Sequence, residues 1–162
     1  MSKKVIGIIV AAVLLIAVTV GILAVSLSKA DLKEGKTEIV LKDVNEKILE
    51  MKPFNEMAAM DIDSTILVDL FQVDEENVKD YVGKYPMMNV HASMYVIVEA
   101  EDGKAEEVKA DLDAWAKDWE ASWERYLPEQ YELVKDRKLG VNGNFVYLII
   151  AESADEIEAL LK

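Results

Sequence analysis

The chain opens with a long apolar run and then changes to segments in which apolar and polar positions recur at regular spacing. Residues 5–27 contain no charged residue, proline or side-chain amide. A helix of this length would measure about 35 Å, and the hydrocarbon core of a bilayer is about 30 Å thick. We therefore predict that residues 5–27 form a transmembrane anchor. Residues 28–38 are polar and lack apolar periodicity, which predicts a linker.

The folded domain is expected at residues 39–162, and its first part shows helical spacing. Asp43 and Glu46 resemble a capping box before a short amphipathic helix that ends ahead of Pro53. A second helix is predicted over 61–71 from the spacing of its apolar residues. Asp74 is placed to cap a third helix, which we expect to continue to Gly83.

The second part of the domain combines strands with further helices. Residues 89–100 alternate in the manner of a strand with one buried face. Residues 104–126 predict a long two-faced helix, and Pro128 starts a shorter one. Asn142-Gly143 fits a type I′ turn between two antiparallel strands. Ser153 and Glu156 repeat the capping-box pattern before a terminal helix.

This order of elements predicts an α+β fold. The economical arrangement is a transmembrane helix followed by a two-layer domain. Its sheet would be small, mixed or antiparallel, with about three strands including the hairpin at Asn142-Gly143, and helices would cover one face.

Basic residues indicate the orientation of the anchor. Lys3 and Lys4 precede it without any acidic residue, so residues 1–4 are expected in the cytoplasm and residues 39–162 outside the membrane. Ser28-Lys29-Ala30 also resembles a signal-peptidase site, and its cleavage would release a secreted domain. The chain has no cysteine, which excludes a lipid-modified cysteine and disulfide bonds.

The excess of acidic residues limits which molecules can bind the part of the chain beyond residue 30. Beyond Ala30 the chain holds 31 acidic and 15 basic residues, a formal charge of −16. Such a surface repels nucleic acids and anionic lipids. The acids could bind cations or attract a basic partner, and they could equally form a solvated surface.

Few residues suggest catalytic or metal chemistry. His91 is the single histidine, and it lies beside Ser93 on the polar side of the predicted strand. Zinc ligands of the usual kind are missing, so no cofactor, metal site or catalytic residue is assigned. The acidic groups at 61–63 and 74–76 fit either helix caps or a weak cation site. A pair of carboxylates for glycan hydrolysis stays open among so many acids.

Two sets of apolar residues are candidates for contact with other molecules. Met87, Met88, Asn89 and His91 form a candidate binding surface, because adjacent methionines between a proline turn and a strand offer an adaptable apolar contact. Packing against the core is the alternative for the two methionines. A row of tryptophans on the long helix fits core packing, or alternatively carbohydrate stacking: Trp115, Trp119 and Trp123.

Several short segments carry a resemblance to a known family. They are Tyr81 after Asp74-Glu75, Met87-Met88-Asn89-Val90, Ala100-Glu101-Asp102-Gly103 before the Val108 helix, Tyr126-Leu127-Pro128-Glu129-Gln130-Tyr131, and Gly143-Asn144-Phe145-Val146-Tyr147. In this order they resemble small membrane- or lipid-anchored extracytoplasmic domains of Gram-positive bacteria, catalogued as a domain of unknown function. The resemblance implies an envelope location and supplies no activity.

The sequence thus favours a non-catalytic interaction or accessory module of the cell envelope. Its N-terminal helix would hold it in the membrane, and its partner would be an envelope protein or a wall component. The alternatives are a carboxylate-dependent cell-wall glycan enzyme and a weak divalent-cation-binding protein.

Overall fold

The structure, a computed structural model, describes residues 39–162. The predictions for the N-terminus at 1–4, the anchor at 5–27 and the linker at 28–38 concern residues outside this range. Within 39–162, no helix is both long enough and apolar enough to cross a membrane.

The domain contains four α-helices and five strands in its described part. In chain order they are α1 (Leu41–Leu49), β1 (Ala59–Asp61), β2 (Val78–Pro86), β3 (Met94–Ala100), α2 (Ala105–Trp123), α3 (Pro128–Lys135), β4 (Lys138–Asn142), β5 (Phe145–Ile150) and α4 (Ala154–Ala159). A π-helical turn (Ile66–Leu70) and a 3₁₀ turn (Glu75–Asn77) lie between β1 and β2. The α+β class predicted from the sequence is confirmed.

All five strands form one antiparallel sheet in the order β1-β2-β3-β5-β4. The prediction of about three strands is therefore wrong. β1 and β2 were missed because neither shows a clear apolar–polar alternation. With β3 and β5 at its centre, the sheet is larger than the hairpin and one strand expected.

Helices cover both faces of the sheet, so the predicted two-layer arrangement is also wrong. On one face, Val96 and Leu148 of the paired central strands pack with Val108 and Leu112 of α2, and we call this cluster the first core. On the other face, side chains of the same strands pack with α1 and α4. The continuous apolar runs of β3 and β5 are the sequence signal for helices on both faces, because a strand that is buried on both faces has no polar side.

The second face is closed by the two helices at the ends of the domain. Leu41, Val44 and Ile48 recur along α1 at helical spacing and are buried against this face. Each such side chain contributes about 1.5–3 kcal/mol on burial. The fully buried Tyr95 donates a hydrogen bond from its hydroxyl to Asn45 Oδ1 at 2.7 Å. This bond satisfies the polar atom that Tyr95 brings into the core.

The helix predicted from Asp74 to Gly83 is wrong, and a β-bulge explains the error. Asp74 does cap a backbone amide, that of Glu76, but the turn is a single 3₁₀ turn followed by β2. The pairing register of β2 shifts between Val78 and Asp80. The extra residue, Lys79, places Val78 and Tyr81 on the same face although they are three apart. Apolar spacing of three residues imitates a helix.

The helix predicted over 61–71 is correct only in part. Residues 59–61 form the edge strand β1, and the helical part is limited to residues 64–70, of which Ile66–Leu70 are π-helical. Asp63 caps this segment by accepting a hydrogen bond from the amide of Ile66 at 2.9 Å. Capping, one of the two interpretations of the acids at 61–63, is thus confirmed for Asp63.

The remaining elements agree with the sequence in type, but their bounds shift. The strand predicted over 89–100 begins at Met94, and α1 begins at Leu41, so Asp43 and Glu46 lie inside the helix and form no capping box. The hairpin is confirmed, but its two-residue loop is Gly143-Asn144, because Asn142 pairs with Phe145. Gly143 has a φ of +62° at the first loop position, where type II′ turns require glycine. The capping box at Ser153 is wrong, since its hydroxyl donates to the carbonyl of Lys52 instead.

Candidate functional site

The connection between β2 and β3, residues 87–93, exposes apolar side chains to solvent. Met87 is 61% exposed, Met88 46% and Val90 43%, which places them among the most exposed large apolar side chains of residues 39–162. Asn89 is also exposed, and His91 is half-buried. We call residues 87–93 the methionine loop. It contains all four residues that the sequence indicates as a candidate binding surface.

Backbone hydrogen bonds hold the methionine loop at both ends. The amide of Met87 donates to the carbonyl of Ala58 at 3.1 Å. At the other end, the amide of Ala92 donates to Gln130 Oε1 of α3 at 2.8 Å. A bond from the amide of His91 to the carbonyl of Met88 closes a turn between these anchors. The main chain is therefore fixed while the methionine side chains remain in contact with solvent.

A third methionine lies on the strand beside this loop. Met60 of β1 is 39% exposed and pairs with Tyr85, two residues before Met87. β1 is an edge strand, so one side of it has no neighbouring strand in the described sheet. The sequence prediction missed Met60, because it assigned no strand to residues 59–61.

A row of aromatic rings extends from the core to the surface along α2. Trp115 and Trp119 stack at 5.3 Å between centroids, and Trp119 meets Trp123 edge-on at 5.6 Å. Trp123 is buried and contacts Tyr126, which is 52% exposed. The interpretation of the tryptophans as core residues is confirmed, because all three pack in the first core.

A shallow groove lies between α2 and α3, with a volume of about 290 Å³. We call it the α2–α3 groove. Its lining consists of three α2 residues, the C-cap residue of α2 and one α3 residue: Lys117, Glu120, Ala121, Glu124 and Tyr131. The groove could not be predicted from the sequence, because it depends on how two helices separated by the Pro128 turn pack together.

Charged contacts leave one carboxylate of this groove free of a cationic partner. Glu120 pairs with Arg137 at 2.6 Å, and Lys117 pairs with Asp113 at 2.7 Å. Glu124 makes no ion pair with any residue of the 39–162 range. The ring of Tyr131 already carries a cation, because the Lys135 ammonium lies 5.2 Å over its centroid.

The acidic residues outside the groove have structural partners or stay dispersed. Asp61 pairs with Lys84 at 2.7 Å, while Asp63 and Asp74 cap backbone amides. No three side chains of histidine, cysteine, aspartate or glutamate come together as a ligand group within the described range. His91 and Ser93 share no hydrogen bond there, and Ser93 is buried.

Comparison with known proteins gives one match. The model of a family described as a domain of unknown function, DUF4358, matches residues 53–151. This range includes all five strands, α2 and α3, the methionine loop and the α2–α3 groove. No curated protein and no solved structure matches the chain.

Proposed function

The chain belongs to the DUF4358 family, a domain of unknown function, and on that premise we propose that it is a membrane-anchored interaction module of the cell envelope. Residues 5–27 would hold it in the membrane, with residues 1–4 in the cytoplasm and residues 39–162 outside. The module has no catalytic role in this proposal. It binds an envelope protein through the methionine loop.

The observation that carries the proposal is the combination of exposed apolar side chains with a fixed main chain. Met87 and Met88 are 61% and 46% exposed, yet hydrogen bonds anchor the loop to Ala58 and Gln130. A contact surface with a fixed backbone loses less conformational entropy on binding. Methionine side chains adapt to the shape of an apolar partner. Both properties favour a protein contact over a solvent-facing turn.

The acidic surface supports a protein partner over a nucleic acid. Residues 39–162 carry 28 acidic and 13 basic side chains. A nucleic acid or an anionic lipid surface would be repelled by this excess of negative charge. The methionine loop is therefore the proposed contact site. The negative charge of residues 39–162 limits the kinds of molecule that can bind there.

The proposal is tested with a photoreactive amino acid placed at position 88 of the full chain in intact cells. We expect a discrete crosslinked envelope protein from this position. Position 40 is the control, because Val40 is 47% exposed, about as much as Met88, but lies at the start of α1. Equal crosslinking from both positions would contradict a specific contact at the loop.

The identified partner is then purified and its affinity for the full chain is measured. Met87→Ala together with Met88→Ala should raise the Kd by about tenfold, which is typical of removing a central apolar contact. Val40→Ser should leave the Kd unchanged, since serine is also well accepted at a helix N-cap. An unchanged Kd in the double variant would refute the proposed contact surface.

A further inference from the structure

Methionine side chains in the described part of the chain differ widely in exposure. Three are exposed, and all of them lie in the methionine loop or on the neighbouring strand β1: Met60, Met87 and Met88. Met51 and Met57 are half-buried against the second face of the sheet. Met94 is fully buried in the first core. A reagent dissolved in water therefore reaches the sulfur atoms of the loop and is kept from that of Met94.

The two adjacent thioethers of the loop, Met87 and Met88, are open to oxidation by a peroxide. The sulfur lone pair attacks one oxygen of hydrogen peroxide, the O–O bond breaks, and that oxygen stays on Sδ. The sulfur is oxidised by two electrons to a sulfoxide, and the peroxide is reduced to one molecule of water. Each reaction replaces an apolar atom of the contact surface by a polar S–O group.

The hydrogen bonds that hold the methionine loop do not involve sulfur. They join the amide of Met87 to the carbonyl of Ala58, and the amide of Ala92 to Gln130 Oε1. Oxidation of the side chains leaves these donors and acceptors in place. Met94 is protected as long as the domain is folded, because its side chain is fully buried. The fold thus confines the chemical change to the surface of the loop.

We propose that Met87 and Met88 form a reversible oxidation site, at which a peroxide converts both thioethers to sulfoxides and thereby weakens the contact of the methionine loop with its envelope partner. This inference rests on the proposed function, because that contact depends on apolar side chains. Sulfoxides disrupt methionine-rich interfaces, since they are polar where the partner surface is apolar. A methionine sulfoxide reductase reverses the change: two thiols are oxidised to a disulfide, and the oxygen leaves as water.

The oxidation site is tested on the full chain in phosphatidylcholine nanodiscs treated with hydrogen peroxide. Trypsin releases residues 85–104 as one peptide, because residues 85–103 contain no lysine or arginine. Tandem mass spectrometry then compares Met87, Met88 and the buried Met94 within one peptide. We expect the two loop methionines to be oxidised more than about tenfold faster than Met94. Equal rates in the folded chain would refute the site.

The effect on the contact is tested with a photoreactive amino acid at position 90, since Val90 is an exposed residue of the loop. The purified chain is oxidised, the peroxide is removed, and the chain is then mixed with solubilised membranes and irradiated. The partner is therefore never exposed to peroxide. Oxidation should lower crosslinking to the envelope protein by at least about threefold, and reductase treatment of the chain should restore it. Unchanged crosslinking by a chain that carries both sulfoxides would overturn the inference.

Two leucine variants locate the effect, because leucine is apolar and has no sulfur. Crosslinking by Met87→Leu with Met88→Leu should be the same before and after peroxide treatment. Met60→Leu is the matched control, since Met60 is exposed to a similar extent as Met88 but lies on β1. It should lose crosslinking on oxidation as the unchanged chain does. If Met60→Leu is resistant instead, oxidation acts at β1 and the inference is wrong.

The outcomes separate this inference from the proposed function. If the unoxidised chain gives no crosslink from position 90, the contact itself is refuted, and the inference falls with it even where both thioethers react. If the contact is present but insensitive to oxidation, only the inference is wrong. Circular dichroism should show that the oxidised chain stays folded. Unfolding by peroxide would assign the lost contact to the fold and overturn the inference.

Discussion

At the residue scale, Asp111 is a carboxylate whose ionisation lowers the stability of the fold. It lies on α2 and is partly buried. Burial raises its pKa, and the nearby carboxylates of Asp74 and Glu107 raise it further. The raised pKa means that the ionised form is less favourable in the folded state than in the unfolded state.

The sign of this shift predicts how stability depends on pH. Ionised Asp111 destabilises the fold above its folded-state pKa, and the penalty disappears below about pH 4, where both states are protonated. Asp111→Asn should therefore raise the free energy of unfolding at pH 7 by some tenths of a kcal/mol. Urea denaturation at neutral and acidic pH measures the difference. A gain that persists in acid, or an equal gain from the exposed Asp118→Asn, would contradict this cause.

At the element scale, the bulge in β2 explains why this strand was predicted as a helix. Lys79 is the extra residue, because Val78 pairs with Ala100 and Asp80 already pairs with Glu99. Removing one residue there would join two correctly oriented halves of the strand. Removing a residue elsewhere in β2 would turn all following side chains to the opposite face.

Deletion of Lys79 should therefore lower the free energy of unfolding by only about 1 kcal/mol. The loss comes mainly from the changed geometry of the bulge and from removal of the exposed ion pair between Lys79 and Glu99. Deletion of Val82, in the same strand, should abolish folding or cost several kcal/mol, because Tyr85 would leave the first core. Chemical denaturation compares the two deletions. Similar losses would mean that the bulge is required for the fold.

The sequence predicts elements well where a single signal acts over many residues. The two-faced pattern of α2 is such a signal, while the turn between β4 and β5 is predicted from a short but specific one, the Asn142-Gly143 pair. β2 was missed because its bulge imitates helical spacing, and the second helical layer was missed because β3 was treated as having one polar face. The exposed methionines could be proposed from the sequence, but Met60 and the groove at Glu124 depend on strand pairing and helix packing.

At the scale of the whole molecule, the proposed anchor at residues 5–27 would determine where the domain works. The full chain should remain in the membrane pellet after alkaline carbonate extraction, because residues 5–27 are apolar throughout. Leu15→Lys together with Ile16→Lys should move it to the soluble fraction, since each lysine costs about 2.5–3.5 kcal/mol at the bilayer centre. Leu15→Ala with Ile16→Ala is the control and should stay in the pellet. Complete extraction of the unchanged chain would refute the anchor.

Both terminal helices of the domain, α1 and α4, pack on the same face of the sheet, and this would have a mechanical consequence if residues 5–27 anchor the chain as proposed. Tension that enters at Ile39 acts first on α1, a nine-residue helix held by Leu41, Val44 and Ile48. The sheet bears load only after this helix has detached. The methionine loop is hydrogen-bonded to Ala58 and Gln130, and neither residue belongs to α1. If the proposed anchor transmits tension, we expect α1 to detach from the sheet before the strands separate, which would lengthen the connection between the membrane and the proposed contact surface.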